Sequence, residues 1–504
     1  MRAQYKLGML TSYIGFVIST LAGFILPPMI IAHLGKELNG LYNALTSFSI
    51  YFGMMDLGLG TAIIRYVAKY RAEGNDGIIS KYMYVMRNVY LVICSITLLI
   101  GTVFTFFVPY FFNASIPLGY NEKAKAVFFF SLLSIVLTIF DNLYYSTIKA
   151  YEQFFVSRST AIARVIIRVT IIIILLENNY SIVAISFTDF LATLLIMIFR
   201  MQYAKKKLSL RYHKPKKGEI DIKQIFSYSS YILIYSLTEK VFWELDKVVL
   251  GIMAGGISVT IYTIGSQISS SISSVSSTVT SMYLPHAVKT SSNKDNYTQI
   301  MAQMARYQLF VIIPVFLGFV FFGKNFLMLW VGEGYDESYK IAIVLIATFV
   351  PVLLQSYGEA LLKALNIQKV YAFAMIVSVL INVILTIILI PVLGSFGAAL
   401  ASSIVNIFRC FFMAVYYQKR LNIQIIEFVS ISFKGITISI ITLIVTGLLL
   451  LRYTALTGWA GLILRLFIFM LVYLISLICF VFNEHERSIL HSIKKKILFR
   501  GTNR

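Results

Sequence analysis

LGMLTSYIGFVISTLAGFILPPMIIA, residues 7–32, carries no charged side chain from end to end. A helix crossing a bilayer core of about 30 Å needs about 20 consecutive apolar residues, and this run exceeds that. It is too long for the apolar region of a cleaved signal peptide, and no small-residue cleavage motif follows, so it reads as a first membrane span. Comparable runs recur along the chain. Fourteen spans are expected, at residues 8–32, 41–64, 83–110, 122–143, 153–176, 181–200, 224–252, 256–283, 301–323, 339–362, 367–391, 396–417, 428–451 and 459–482. The fold class is therefore all-α and polytopic.

Composition agrees. Of the 504 residues 58% are hydrophobic and 13% charged, where an ordinary soluble domain has about 25% charged residues. The net charge of +22 does not point to nucleic acid, because the basic residues lie between the apolar runs and there serve to orient a membrane protein. With the N-terminus in the cytoplasm, the inside loops collect Arg65, Lys69, Arg71, Lys149, Arg158, Lys289, Lys294, Lys363, Lys369, Lys419 and Arg420. The stretch 201–223 and the tail after residue 482 are more basic still. Outside loops keep only Lys36, Lys123, Lys125, Lys324, Lys340 and Arg452. Both termini are thus expected inside. Cys94, Cys410 and Cys479 each fall in an apolar run and match neither a metal nor a disulfide pattern.

The basic stretch 201–223 follows six spans and suggests an N-terminal lobe at 1–200, a linker at 201–223, a second lobe at 224–418, two added spans at 419–482 and a basic tail at 483–504. A weak parallel repeat, Tyr42 after the first segment and Tyr262 after the seventh, places a substrate path between the lobes.

Three stretches carry a family resemblance: NGLYNALTSFSIYFGMMDLGLGTAIIRYVAKYRA at 39–72, KAYEQFFVSRSTAIARVIIRV at 149–169 and ELDKVVLG at 244–251. They resemble bacterial polysaccharide-biosynthesis flippases of the multidrug/oligosaccharidyl-lipid/polysaccharide exporter superfamily. The resemblance implies transport of an undecaprenyl-diphosphate-linked oligosaccharide from the inner to the outer leaflet of the cytoplasmic membrane. Polysaccharide polymerase and glycosyltransferases are the implied partners, and a monomer is the default state.

Ionisable residues at bilayer depth cost roughly 2.5–3.5 kcal/mol each and must face partners or water. Arg164 and Arg168 share one face of the fifth segment. They either bind diphosphate, whose oxygens a guanidinium matches, or pair with Asp189 or Asp141. The seventh segment carries Glu239, Lys240, Glu244, Asp246 and Lys247. Lys240–Glu244 and Glu244–Lys247 have pairing spacings, and Glu239 shares a side with Asp246. These groups either line a cavity that binds sugar hydroxyls or a coupling proton or sodium ion, or form a structural network. The serine-dense stretch 265–277 either lines a wet path or packs closely. Asp56, Arg409 and the Glu359–Lys363 pair are weaker candidates. No cofactor or metal site is expected. The stretch 318–325 imitates a phosphate loop but lacks its final Ser or Thr and lies in an apolar run. No loop is long enough for a catalytic domain, so an enzyme is not expected. A cation-coupled drug exporter is the first alternative, although the first segment holds no acid. A peptidoglycan-precursor flippase is the second, although that segment holds no arginine.

Overall fold

The computed structural model describes residues 2–216, 219–220, 222–290, 297–365, 367, 369–453, 457–482 and 486; side chains are left undescribed before Leu7, at 9–10, and within 221–237 and 275–290. The chain is helical: α1 Arg2–Phe52, α2 Leu59–Ala72, α3 Asp76–Phe111, α4 Asn121–Ala150, α5 Phe154–Glu177, α6 Ile182–Lys206, α7 Ile222–Met253, α8 Gly255–Thr290, α9 Tyr297–Val331, α10 Asp336–Leu354, α11 Ser356–Ala364, α12 Lys369–Leu421, α13 Ile425–Phe433, α14 Ile436–Tyr453 and α15 Gly458–Ser476. Among the described residues no strand occurs, and ten helical stretches are long and apolar enough to cross a membrane.

Two of those stretches hold two spans each. A helix of 53 residues such as α12 would run about 80 Å at 1.5 Å per residue, far beyond the bilayer. Each is broken at one glycine whose backbone leaves the helical region, Gly35 in α1 (φ 83°) and Gly394 in α12 (φ 58°). A side chain at either φ is strained, so these positions fix where the chain turns back. Other expected spans are interrupted. The second breaks at Gly53–Asp56, where Leu57 and Gly58 are left-handed. The tenth divides at Gln355 into α10 and α11, and the thirteenth at Gly435 into α13 and α14.

The chain forms two compact units, residues 1–267 with 375–402, and residues 268–374 with 403–504. These contact-defined units cut across the division at 201–223 drawn from the sequence. In the first unit α2 presents Leu59, Ala62, Ile63 and Val67, one helical stripe, to Ile79, Tyr82, Met83, Met86 and Tyr90 of α3 and to Ile139, Leu143 and Tyr144 of α4. In the second unit α14 buries Ile436, Ser439, Leu443, Gly447 and Leu450, and α15 buries Gly461, Leu462, Arg465, Phe469, Tyr473 and Ser476. Spacings of three and four residues keep these side chains on one face and let the helices meet closely, with Ser439 hydrogen-bonded to Ser476 and the Phe321 ring of α9 lying over Gly447. Outward faces carry Phe106, Tyr110, Val392, Phe411, Ile426 and Phe467, all strongly exposed. A bilayer is the solvent such faces fit.

Arg306 on α9 secures the second unit. Its guanidinium takes both oxygens of Glu486 (2.7 and 3.3 Å), the Val481 carbonyl (2.6 Å) and the Lys434 carbonyl. It thereby ties α9 to the ends of α13 and of the α15 extension. Both partners are almost fully buried, at 7% and 5% side-chain exposure, and the sequence reading singled out neither.

Candidate functional site

Three arginines, Arg164, Arg168 and Arg200, cluster about α4, α5 and α6, and two of them are neutralised. Arg168 on α5 binds Asp189 on α6 through Nε and donates to the Tyr42 hydroxyl (3.2 Å), while Tyr42 in turn donates to Asp189. Arg200, near the end of α6, binds Asp141 of α4, donates to the Thr160 hydroxyl (2.9 Å) and lies 4.5 Å from the centre of the Tyr145 ring. Arg164 lies one turn before Arg168 on α5. It is half-buried and, among the described residues, makes no hydrogen bond or ion pair. Both carboxylates that the sequence offered it are taken, although it remains within electrostatic reach of each. Within this α4–α6 cluster three arginines meet two aspartates, which leaves a local excess of one positive charge centred on Arg164. The pairing expected for the two α5 arginines thus holds for Arg168 alone. Arg200, the partner Asp141 chose, could have been read only as a basic residue at the end of a span.

The charges of α7 separate into different surroundings. Glu244 binds Lys247 (2.8 Å) and accepts from the Ser47 hydroxyl of α1 (2.6 Å). The alternative Lys240–Glu244 pair does not form, because Glu244 is drawn toward Lys247 and Ser47, and Lys240 stays exposed beside exposed Glu239. Asp246 shares a helix side with Glu239 but lies two turns further along and is 2% exposed. Its carboxylate accepts from the hydroxyls of Tyr262 on α8, Ser402 (2.6 Å) and Thr386 (3.3 Å), and from the Asn382 amide (3.3 Å). The break at Gly394 folds α12 back so that Asn382 and Thr386 before it reach the same carboxylate as Ser402 after it. Every donor is neutral, and among the described residues no basic side chain pairs with Asp246. Asp56, at the break in the second span, is held in the same manner by Tyr90 (2.9 Å) and by the Asn142 amide (2.9 and 3.0 Å).

The remaining candidates are dispersed. Arg409 belongs to the second unit, donates to Asn406 (2.8 Å), and lines a cavity of about 20 Å³ with Gln355, Glu359 and Tyr417, room for about one water. Lys363 and Glu359 form their expected pair at 2.6 Å. Of the serine-dense stretch, Ser269 is buried and Ser274 exposed, while 275–277 lie outside the described side chains. The basic tail likewise lies outside the described residues, as does the side chain of Lys289.

At the end of the first unit expected to face outside, the chain closes tightly. The Asn39 amide donates to the Thr260 hydroxyl (3.1 Å), which donates to the Lys36 carbonyl (2.6 Å), and Ser115 donates to the Gly251 carbonyl (2.6 Å). The backbones of Gly40 and Gly256 are in contact, and a Cβ on Gly40 would fall 2.7 Å from Cα of Gly256 and nearer still to its carbonyl. A Cβ on Gly251 would stand 2.6 Å from that of Ala44. The contact of α1 with α7 and α8 depends on these glycines.

Comparison with known proteins places this architecture. The chain is 24% identical over 213 residues to the probable low-salt glycan biosynthesis flippase Agl15 of Haloferax volcanii, a match covering 41% of this chain and 44% of that protein. Among solved structures, the lipid II flippase MurJ in an inward closed conformation superposes with TM-score 0.73 at 16% identity, covering 93% of this chain and 97% of that one. The MATE multidrug transporter DinF-BH superposes with TM-score 0.61 at 15% identity, covering 84% and 96%. These likenesses establish the fold. Residues 8–291, more than half of the chain and containing Arg164, Arg168, Asp189 and Asp246, match the family described as polysaccharide biosynthesis protein. The resemblance carried by residues 39–72, 149–169 and 244–251 is thereby borne out, and the chain belongs to the polysaccharide biosynthesis protein family.

Proposed function

We propose that this protein carries a lipid-linked oligosaccharide across the bacterial cytoplasmic membrane by alternating access, with Arg164 as the anchor for the diphosphate. The observation that carries the reading is the asymmetry among the three arginines. A half-buried cation at bilayer depth without a carboxylate is costly unless an anion or water meets it, and a guanidinium matches phosphate oxygens two at a time. Arg168 and Arg200 already have their anions; Arg164 does not. The exposed polar groups of α7, Glu239 and Lys240, suit sugar hydroxyls. Fold similarity to MurJ and to DinF-BH leaves the substrate open. The local positive charge at Arg164 suits a diphosphate at that point of the unit, and the family favours a glycan.

The membrane potential supplies a driving force. One charge crossing 100 mV is worth about 2.3 kcal/mol, so a diphosphate with two negative charges leaving a negative interior gains roughly twice that. Asp246 is the candidate for ion coupling. Its buried carboxylate is surrounded by neutral donors, so a proton or sodium ion arriving there would offset its charge.

The test is direct binding. Purified protein is titrated with a water-soluble short-chain prenyl diphosphate sugar. A hydrogen bond to a charged group contributes about 1.5–3 kcal/mol, so Arg164→Gln should weaken binding roughly 10- to 100-fold. Unchanged affinity in Arg164→Gln would remove the anchor from the account.

A further inference from the structure

The stretch that joins α6 to α7 is not a free tether. Beyond Lys206, the left-handed residue Ser209 (φ 52°) reverses the chain, and the Leu210 amide donates back to the Ala204 carbonyl (3.1 Å). The segment then lies extended along the start of α3. The His213 amide donates to the Ser80 carbonyl (3.2 Å), and Glu219 pairs with Lys81 (2.9 Å). Hydrogen bonds from Lys81 and from the Lys216 amide hold the Glu219 carboxyl below its ordinary range, so this clasp stays charged at neutral pH. Leu210 is buried and Tyr212 turns inward, its ring 4.7 Å from the Arg87 guanidinium. Leu210, Tyr212 and Ile220 all pack on the α2–α3–α4 core.

The surface this segment leaves exposed is basic. Lys205, Lys206, Lys207, Arg211, Lys214 and Lys216 are exposed. Among the described residues Lys205, Lys206, Lys207, Arg211 and Lys214 take no ion pair, since Glu219 is occupied by Lys81. Like charges held this closely repel one another, and the fold nonetheless pins their backbone in place. They begin in the last turn of a membrane-spanning helix, at the level where lipid phosphates lie. The positive-inside pattern puts this end in the leaflet that carries anionic lipid.

We propose that residues 205–216 form a docking surface for anionic phospholipid headgroups, with Tyr212 as the buckle that presents it. Arg211 grips phosphate oxygens in its planar fork while the lysines act as point charges beside it. The surface is separate from Arg164, and its occupant is a resident lipid rather than the transported one.

The experiment uses the full chain in nanodiscs with spin-labelled phosphatidylglycerol and phosphatidylcholine, and reads their relative association with the protein. Each basic residue at an anionic surface is worth about a five-fold preference. Replacing Arg211, Lys214 and Lys216 together by Gln should therefore cut the phosphatidylglycerol preference at least ten-fold, and raised salt should do the same to the wild type. The basic tail is present in both proteins and cancels. Tyr212→Ala keeps every charge and should lower the preference several-fold by releasing the segment. An unchanged preference in the triple variant overturns the docking surface. An unchanged preference in Tyr212→Ala overturns the buckle. A ten-fold loss for a labelled short-chain prenyl diphosphate, with phosphatidylglycerol unaffected, assigns the surface to the transported lipid and overturns the proposal.

Discussion

Gly40→Ala should open the outer closure of the first unit. The added methyl would meet Cα of Gly256 at 2.7 Å, where carbon atoms rest at about 3.5–4.0 Å. The Gly256 carbonyl is nearer still, and these opposing atoms are backbone and cannot rotate aside, so α1 must withdraw from α8 by more than about 1 Å. Overpacking of this kind costs about 1–3 kcal/mol. The withdrawal also strains the Asn39–Thr260 and Thr260–Lys36 hydrogen bonds, each contributing about 0.5–1.5 kcal/mol. The sum, about 2–6 kcal/mol against the closed arrangement, is a population shift of roughly 30-fold or more. The assay is labelling of Ser115→Cys by a membrane-impermeant maleimide applied outside, in a background with Cys94, Cys410 and Cys479 replaced by Ser. Ser115 is fully buried at the closure, so its labelling rate follows the open population. The rate should rise about 30-fold or more in Gly40→Ala. A rise below two-fold would mean that the glycine contact does not hold the outer end shut.

Three further outcomes follow from the buried charges. Arg200→Gln leaves Asp141 uncompensated at 8% side-chain exposure, and should destabilise the first unit by about 3–5 kcal/mol in thermal unfolding; the double variant with Asp141→Asn should recover much of that loss. Glu486→Gln should cost a similar amount by stranding Arg306, and limited proteolysis should then release the α13–α15 region first. Asp246→Asn preserves the shape of its nest and removes the charge, so sodium- or proton-driven uptake of substrate into proteoliposomes should lose its dependence on the ion gradient while transport driven by potential alone persists; retention of that dependence would place coupling elsewhere.

The membrane fold was readable because apolar runs of the required length have few other uses, and fourteen expected spans find their helices once the breaks at Gly35 and Gly394 are counted. The interruptions at Gly53–Asp56, Gln355 and Gly435 were not foreseen. A left-handed residue or a kink inside an apolar stretch leaves little trace in hydropathy, although GMMDLGLG at 53–60 is dense in glycine around one acid. Local pairs were legible when spacing decided them, as for Lys363–Glu359. They failed where two partners competed for one carboxylate: Glu244 took Lys247 and Ser47, leaving Lys240 aside. Partners on other helices lay beyond reach. Spacing along α5 places Arg164 and Arg168 on one face, but only packing decides that Asp189 goes to Arg168 and Asp141 to Arg200. The four neutral donors around Asp246 come from α8 and from both sides of the Gly394 break, separations that no local pattern records.

A leaflet-resolved flipping assay bears most directly on the proposed function. Proteoliposomes carrying a prenyl-diphosphate oligosaccharide with a fluorescent sugar are exposed to dithionite, which bleaches only headgroups on the outer face. With the wild type the protected inner-leaflet fraction should drain away, and Arg164→Gln should slow that loss roughly 10- to 100-fold. A protected fraction that persists with wild-type protein, or drains equally fast in Arg164→Gln, would contradict the account.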